Sequence, residues 1–263
     1  MAPAGSRRLS RSSIGRAFIL LGAFGPDHSR LTLTEIARRA DLPLTTAHRL
    51  AGELTACGAL ERDDSGRYRI GLRLWELASL APRGLGLREL ALPFLEDLYE
   101  VTRENAQLAV RDGVEVVFVE RITGRHAVRV RTRVGGRWAM HCTGVGLVLL
   151  AYAPADVQEQ VLARPLERYT ERTVTAPDEL RRALAAVRQR GFAVSDRQVT
   201  MDSLSVAAPI RGADGSVVAA ISLVVHSDGA QPIALAPAVQ AAARGVSRAL
   251  GLPGAWGTGD APR

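Results

Sequence analysis

The stretch LPLTTAHRLAGEL, Leu42 to Leu54, decides how the chain is read. Ala47, Leu50 and Leu54 fall at i, i+3 and i+7, the spacing of one apolar helix face that needs a core. The opposite face carries Thr45, Thr46, His48 and Arg49 in its first turns. A face kept only for solubility favours Glu and Lys, for propensity and ion pairing. Short hydroxyls, an imidazole and a guanidinium at one helix end suit a polar, anionic surface instead.

Working outward, Thr32 and Glu35 in TLTEIARRA have the spacing of a capping box and open a short helix through Ala40. DLP makes a tight turn, and Pro43 suits the first turn of the next helix, which runs to about Cys57 and stops at Gly58. Upstream, SIGRAFILLGAF (Ser13 to Phe24) reads as a helix ended by Gly25-Pro26. Downstream, ALERDDSGRYRIG reads as a hairpin about Asp63-Asp64-Ser65-Gly66. Three helices and then a hairpin, the second and third joined by a short turn, is the layout of a winged helix-turn-helix.

In such a unit the second helix of the pair enters the major groove with its N-terminal residues facing base edges. The candidate DNA contacts are Thr34, Leu44, Thr45, Thr46, His48 and Arg49, with Arg67 and Arg69 flanking the wing tip. A bidentate Arg49–guanine contact discriminates by roughly 1–3 kcal/mol. Arg7, Arg8 and Arg11 lie on a basic arm, residues 1–12, that could enter a minor groove. Residue by residue, a plainer reading stays open: Thr45 and Thr46 as helix caps, Arg49 as a solvated side chain.

The totals agree with a double-stranded DNA partner without requiring one. The 263 residues carry a net charge of +7, and all 34 basic residues are Arg. A basic protein meets polyanions easily, although all-Arg usage also reflects a GC-rich genome. GVGLVLLAYAP and VVAAISLVV are core-sized rather than membrane-spanning, no secretory signal is evident, and a cytoplasmic location is expected. Cys57 and Cys142 form no CxxC pair, which argues against a disulfide framework and a cysteine zinc site.

After a helical LRLWELASL and an interruption at APRGLGL, LRELALPFLEDLYEVTRE carries a helical apolar stripe, with Pro93 marking a kink or a fresh start. From Asn105 the period changes to two. QLAVRDGVEVVFVERI reads as two strands about Asp112-Gly113, and VRVRTRV (Val128 to Val134) as a strand with one wet face. Arg129, Arg131 and Arg133 on that face read as solvated, as a clamp for an anionic effector, or as a subunit contact. A buried helix (GVGLVLLAYA), an amphipathic helix (PDELRRALAAVRQR), a strand pair about Ala213-Asp214-Gly215 and a last helix capped by Gly251 follow. The expectation is a two-domain α+β chain. Its parts are a winged unit at 13–75, a linker helix region at 76–88, a mixed α/β domain at 89–252 and a loose tail at 253–263.

The blocks LTLTEIARRADLPLTTAHRLAGEL, ERDDSGRYRIGLRLWELA, LRELALPFLEDL, VRVRTRVGGRWAMHCTGVG, RYTERTVTAPDEL, RRALAAVRQRGFAV and SVAAPIRGADGSVVAAISL resemble, in order, the IclR family of bacterial transcriptional regulators. The resemblance spans roughly Ser13 to Gly251. It implies a winged helix-turn-helix, a linker helix and a GAF-like effector-binding domain, in dimers or dimers of dimers on palindromic promoter sites. It further implies repression or activation controlled by a small metabolite, an organic acid by family habit, and no cofactor or metal. The effector residues it implies are Gly144, Val145, Ser195, Asp196, Ser203, Ser205, Ser222 and Val224. The chain departs from the family at Leu44, where Lys is common, at Ser205, where Cys is common, at Gly146-Leu147, where Gly-Lys is common, and near Val224-Val225, where Ser-Gly is common. Each serine also reads as an ordinary strand serine with a backbone partner.

An enzyme is disfavoured. His141 and Cys142 are neighbours whose side chains diverge on an extended segment, and the GxSxG, HExxH, P-loop and GxGxxG signatures are absent. The alternative of a different class is a winged helix that binds protein or RNA, beside a domain that only oligomerises. Protein-binding winged helices expose apolar groups where this one shows Thr, His and Arg.

Overall fold

The computed structural model describes residues 12–81 and 85–251, which pack as two units dividing after Ala81. Arg7, Arg8 and Arg11 of the arm and the tail at 253–263 lie outside the described residues.

In the first unit, Ser12 caps α1 (Ser13–Leu21) by accepting the Gly15 N–H at 2.9 Å. The helix ends at Leu21, three residues before the expected Phe24, with Gly22 closing its last turn. The expected capping box opens α2 (Leu33–Ala40): Thr32 N–H donates to Glu35 at 2.8 Å, and Glu35 N–H donates to Thr32 Oγ1 at 3.3 Å. Asp41 adopts the left-handed region at φ 51°, and Leu42 N–H donates to the Ala37 carbonyl at 3.0 Å. These close the turn into α3 (Leu44–Ala56), with Pro43 at its N-cap.

The wing strands β1 (Leu60–Arg62) and β2 (Tyr68–Ile70) pair antiparallel, Leu60 opposite Ile70. Leu31 also pairs with Tyr68, a third extended contact absent from the sequence reading because one residue carries no periodicity. Gly71 is required by contact: a Cβ there would lie 2.1 Å from the Gly58 carbonyl oxygen. Leu20, Ile36, Leu50 and Leu60 form the apolar centre. The following α4 (Leu72–Ser79) buries none of its residues.

The second unit is a six-stranded antiparallel sheet between two helical layers. Its strands are β3 (Asn105–Asp112), β4 (Glu115–Ile122), β5 (Arg137–Ala139), β6 (Ala193–Asp196), β7 (Ser203–Arg211) and β8 (Val217–His226), in the order β5-β4-β3-β8-β7-β6. Helices α5 (Leu87–Thr102) and α9 (Pro232–Gly251) share one core with Ala106, Leu108, Leu204, Val206, Ile221 and Leu223. On the other face lie α6 (Gly144–Ala151) and α8 (Pro177–Arg190), over Ala109, Ala207 and Ala220. Side chains alternate along each strand, so both faces of the sheet are buried. Helix α5 runs through Pro93 without a fresh start.

Four segments depart from the sequence reading. The short strands β5 and β6 and the helix α7 (Ala155–Leu162) were not expected, being too brief for a clear period. Val128–Val134 is not a strand. Its alternation survives in burial, with Val128 and Thr132 buried and Arg129, Arg131 and Arg133 exposed. The segment crosses the sheet face instead of joining an edge. Asn105 Nδ2 donates to the Val128 carbonyl at 2.8 Å and Gln107 Nε2 to Thr132 Oγ1 at 2.7 Å. One-sided contact with a face produces the same period as a ladder.

Leu50 is 2% exposed in the centre of the winged unit, so Leu50→Ala is expected to destabilise that unit by about 2–5 kcal/mol. Hydrogen exchange of the α3 amides measures this, and unchanged opening free energies would contradict the packing.

Candidate functional site

The outward face of α3 presents Leu44, Thr45, His48 and Arg49, all exposed, while Thr46 is half-buried. Thr34 is exposed on α2. Arg49 Nη1 donates to Glu53 Oε1 at 2.5 Å, one turn further along α3. Arg69 is tied to Glu61 at 2.7 Å, and Arg67 stands 3.8 Å from Glu35, so both wing arginines are flanked by acids. The capping bonds from Thr32 and the nearby Arg67 hold the Glu35 carboxyl below its ordinary range. Asp63 Oδ1 accepts from the Ser65 N–H at 3.1 Å, the Ser65 hydroxyl at 2.6 Å and the Arg67 N–H at 3.0 Å. The wing tip is therefore shaped before it meets a partner.

In the second unit the sheet register gathers residues far apart in sequence. Asn105 lies opposite Val224, Val224 opposite Ser205, and Ser205 opposite Ser195. The next row on the same face joins Gln107, Ser222 and Ala207. Over these rows sits the N-terminus of α6, where Thr143 Oγ1 accepts the Gly146 N–H at 3.0 Å. The cavity between them holds about 440 Å³, mouth included, room for a small ligand.

Of the sequence candidates, Gly144, Val145, Ser195, Ser203, Ser205 and Val224 line this cavity. Asp196 does not: it is exposed, with its carboxylate 3.8 Å from Arg197 Nε. Ser222 is fully buried in the floor but off the lining, and its Oγ has no hydrogen-bond partner among the described residues. The lining further includes Gln107, Phe118, Thr132 and Thr200, which carried no local signal as ligand groups, and Arg131, for which the alternation of Val128–Val134 offered an anion clamp as one of three readings. Among the described residues Arg131 supplies the one cation of the lining, its guanidinium 5.8 Å from the centre of the Trp138 ring, and none of them brings a carboxylate to it. Ser195 Oγ donates to the Cys142 carbonyl at 2.6 Å, and Thr200 Oγ1 donates to Ser203 Oγ at 2.8 Å.

Beside the cavity, Tyr169 stacks near His141 at 6.3 Å and lies 5.3 Å from Trp138. Burial lowers the His141 pKa, and a ring nitrogen stands 2.9 Å from the Glu167 carbonyl. Burial pushes the Cys142 thiol up to about 12, so at neutral pH it is protonated, the opposite of a nucleophile. Among the described residues no His, Cys, Asp and Glu cluster could hold a metal.

A DNA-reading winged unit followed by a sheet domain with an enclosed ligand cavity defines a ligand-controlled transcriptional regulator. The HTH model described as the IclR helix-turn-helix domain matches residues 13–64, and that of the bacterial transcriptional regulator IclR C-terminal domain matches residues 81–248. The chain belongs to the IclR family. It is 36% identical to the HTH-type transcriptional regulator BhcR of Paracoccus denitrificans, over 83% of this chain and 80% of that one. It is 31% identical to the glycerol operon regulatory protein of Streptomyces coelicolor, over 91% and 96% of the two chains. The crystal structure of an IclR homolog from Microbacterium hydrocarbonoxydans, complexed with 4-hydroxybenzoate, superposes with a TM-score of 0.84 at 38% identity, covering 91% of this chain and 99% of that one. These relatives are transcriptional regulators rather than enzymes, and no helix among the described residues is long and apolar enough to cross a membrane.

Two outcomes follow from the titratable groups. In the native protein a thiol reagent should label the exposed Cys57 and leave the buried Cys142 untouched until denaturant is added. Rapid native labelling of both would contradict the packing of α6. Because His141 is lowered from 6.5 in the fold, the unfolded chain takes up its proton first. Its contribution to stability is complete above about pH 6.5 and is lost as the pH falls toward the folded value. His141→Gln should flatten the unfolding midpoint over that range, and an unchanged slope would remove His141 as its cause.

Proposed function

We propose that α3 reads a palindromic promoter site as part of a homodimer or dimer of dimers, and that a small organic carboxylate in the second unit controls this binding. Residues 13–75 then serve as the DNA-binding unit, 76–88 as linker and 89–252 as the effector-binding and oligomerising part, in the cytoplasm. On the DNA side the supporting observation is the exposed face of α3: Thr45, His48 and Arg49 stand together at its N-terminal end, with Leu44 offering an apolar contact to a thymine methyl. Thr34, Thr46, Arg67 and Arg69 supply contacts around it, largely to phosphates. A second copy is supported by the apolar groups the first unit leaves in water, including Phe18 at 65% and Trp75 at 59% exposure.

One observation carries the effector class: the cavity lining combines Arg131, the N-terminus of an eight-residue helix and several hydroxyls, and contains no carboxylate. Such a lining favours a carboxylate, which accepts hydrogen bonds from guanidinium, hydroxyl and backbone N–H groups. Phe118, Val130, Val145, Val199 and Val224 leave the remaining wall apolar. The Microbacterium relative was crystallised with such a molecule, 4-hydroxybenzoate.

Fluorescence anisotropy with the intergenic DNA beside the gene, against excess nonspecific duplex, tests the DNA reading. Arg49→Ala should weaken specific binding by about tenfold or more while the fold remains intact. Equal operator affinity in the variant would refute the role of α3, and binding lost to any duplex would favour the protein-contact reading. Arg131→Ala should leave operator binding in place and raise the 4-hydroxybenzoate or related acid concentration needed for response by about tenfold or more. An unshifted response would place the effector elsewhere.

A further inference from the structure

A second concave site lies away from the cavity just described. Strand β6 pairs with β7 only from Ala193–Ala207 to Asp196–Leu204, so β7 runs on past it through Ala208 to Arg211. The gap left there, bounded by α9 and by Gly191 at the end of α8, is a cleft of about 760 Å³, mouth included. Among the described residues its lining holds three arginines, Arg211, Arg244 and Arg248, with Tyr152, Gln240 and Ser247, and no carboxylate.

The chemistry of this cleft is one-sided. Many exposed arginines of the chain pair with an acid, as Arg73 does with Glu76 and Arg181 with Asp178 and Glu159. Arg211, Arg244 and Arg248 make no ion pair with a carboxylate among the described residues. Arg211 is held in place: its guanidinium lies 4.9 Å from the centre of the Tyr152 ring, and its Nη1 donates to the Gly215 carbonyl at 2.9 Å. Its backbone N–H donates to Ser247 Oγ at 2.9 Å, which ties the strand end to α9. Arg244 and Arg248 sit one turn apart on α9, a like-charge i,i+4 pair that is unfavourable unless an anion lies between them. Three arginines lining one concave surface raise the local potential beyond that of scattered charges. Guanidinium forks match the paired oxygens of phosphate groups in geometry as well as charge.

We propose that this cleft binds a small phosphorylated anion of the pyrophosphate type, giving the regulator a second ligand site separate from the carboxylate cavity. The cavity presents one arginine among hydroxyls and apolar side chains, whereas the cleft presents three. A compact multivalent oxyanion suits the second and not the first.

The test is calorimetric titration of the full chain with sodium pyrophosphate, at ionic strength held constant with chloride. The expected result is saturable binding that weakens by about tenfold or more in the Arg244→Ala/Arg248→Ala double variant and is unchanged in Arg131→Ala. Both arginines are exposed, so the double variant should retain its circular dichroism and unfolding midpoint. Absence of saturable binding at matched ionic strength would overturn the proposal, as would equal affinity in the double variant. A salt series with nonspecific duplex forms the second arm. If the double variant lowers the salt slope for DNA by about 2, the cleft contacts the nucleic-acid backbone, and the small-anion assignment fails.

Discussion

The close approach of helix α6 to strand β7 is the constraint on which the second unit depends. A Cβ on Gly144 would stand 2.6 Å from Ser205 Oγ, and one on Gly146 would stand 2.4 Å from the Met140 carbonyl oxygen. Only glycine allows the helix start to descend this far. From the opposite side all eight residues of α6 are buried, and the packing of Val145, Leu147, Val148 and Leu150 holds the helix down. The backbone N–H groups at its first turn are thereby fixed over the sheet face. A helix start raised by one side chain would leave the hydroxyls of Ser195 and Ser205 facing open water.

That arrangement leaves polar groups in an apolar interior. Asn105, Gln107 and Ser222 are buried on the sheet face that α6 covers. Gln107 finds Thr132 and Asn105 finds the Val128 carbonyl, which is why the Val128–Val134 segment is drawn across the face. Asn105 Oδ1 and Ser222 Oγ find no hydrogen-bond partner among the described residues. Buried polar atoms without partners cost stability, and they concentrate where a protein binds something. The all-apolar core of α5, α9 and the opposite sheet face offsets the cost of this polar floor, which is the floor of the proposed effector cavity.

The winged unit solves a different problem. Its core is apolar throughout, and the groups that face outward from α3 do not contribute to it. On the proposed DNA reading, selectivity there rests on a balance of charges. Glu53 holds Arg49, Glu61 holds Arg69, and Asp63 shapes the wing tip, so the basic face is studded with carboxylates that repel phosphate. Such a surface binds DNA less tightly without sequence than an unpaired basic one, since nonspecific affinity grows with each phosphate neutralised.

The sequence by itself determined the parts whose signal is local. The Thr32–Glu35 capping box, the Leu42–Leu54 stripe and the Asp63–Gly66 turn are each set by interactions within a few residues, and each is legible in order. That order, carried by blocks along most of the chain, also made the family recognisable. Of the cavity, the family resemblance implied Gly144, Val145, Ser195, Ser203, Ser205 and Val224, which line it, while Asp196 is exposed, because alternation turns it away from Ser195. Only the tertiary structure decided the rest. Gln107, Arg131, Thr132 and Thr200 meet across register and crossing contacts spanning much of the second unit, and no short-range pattern encodes such a meeting. Alternation at Val128–Val134 likewise records that one side of the segment is covered. Whether a strand or a sheet face covers it depends on where Asn105 and Gln107 must send their hydrogen bonds.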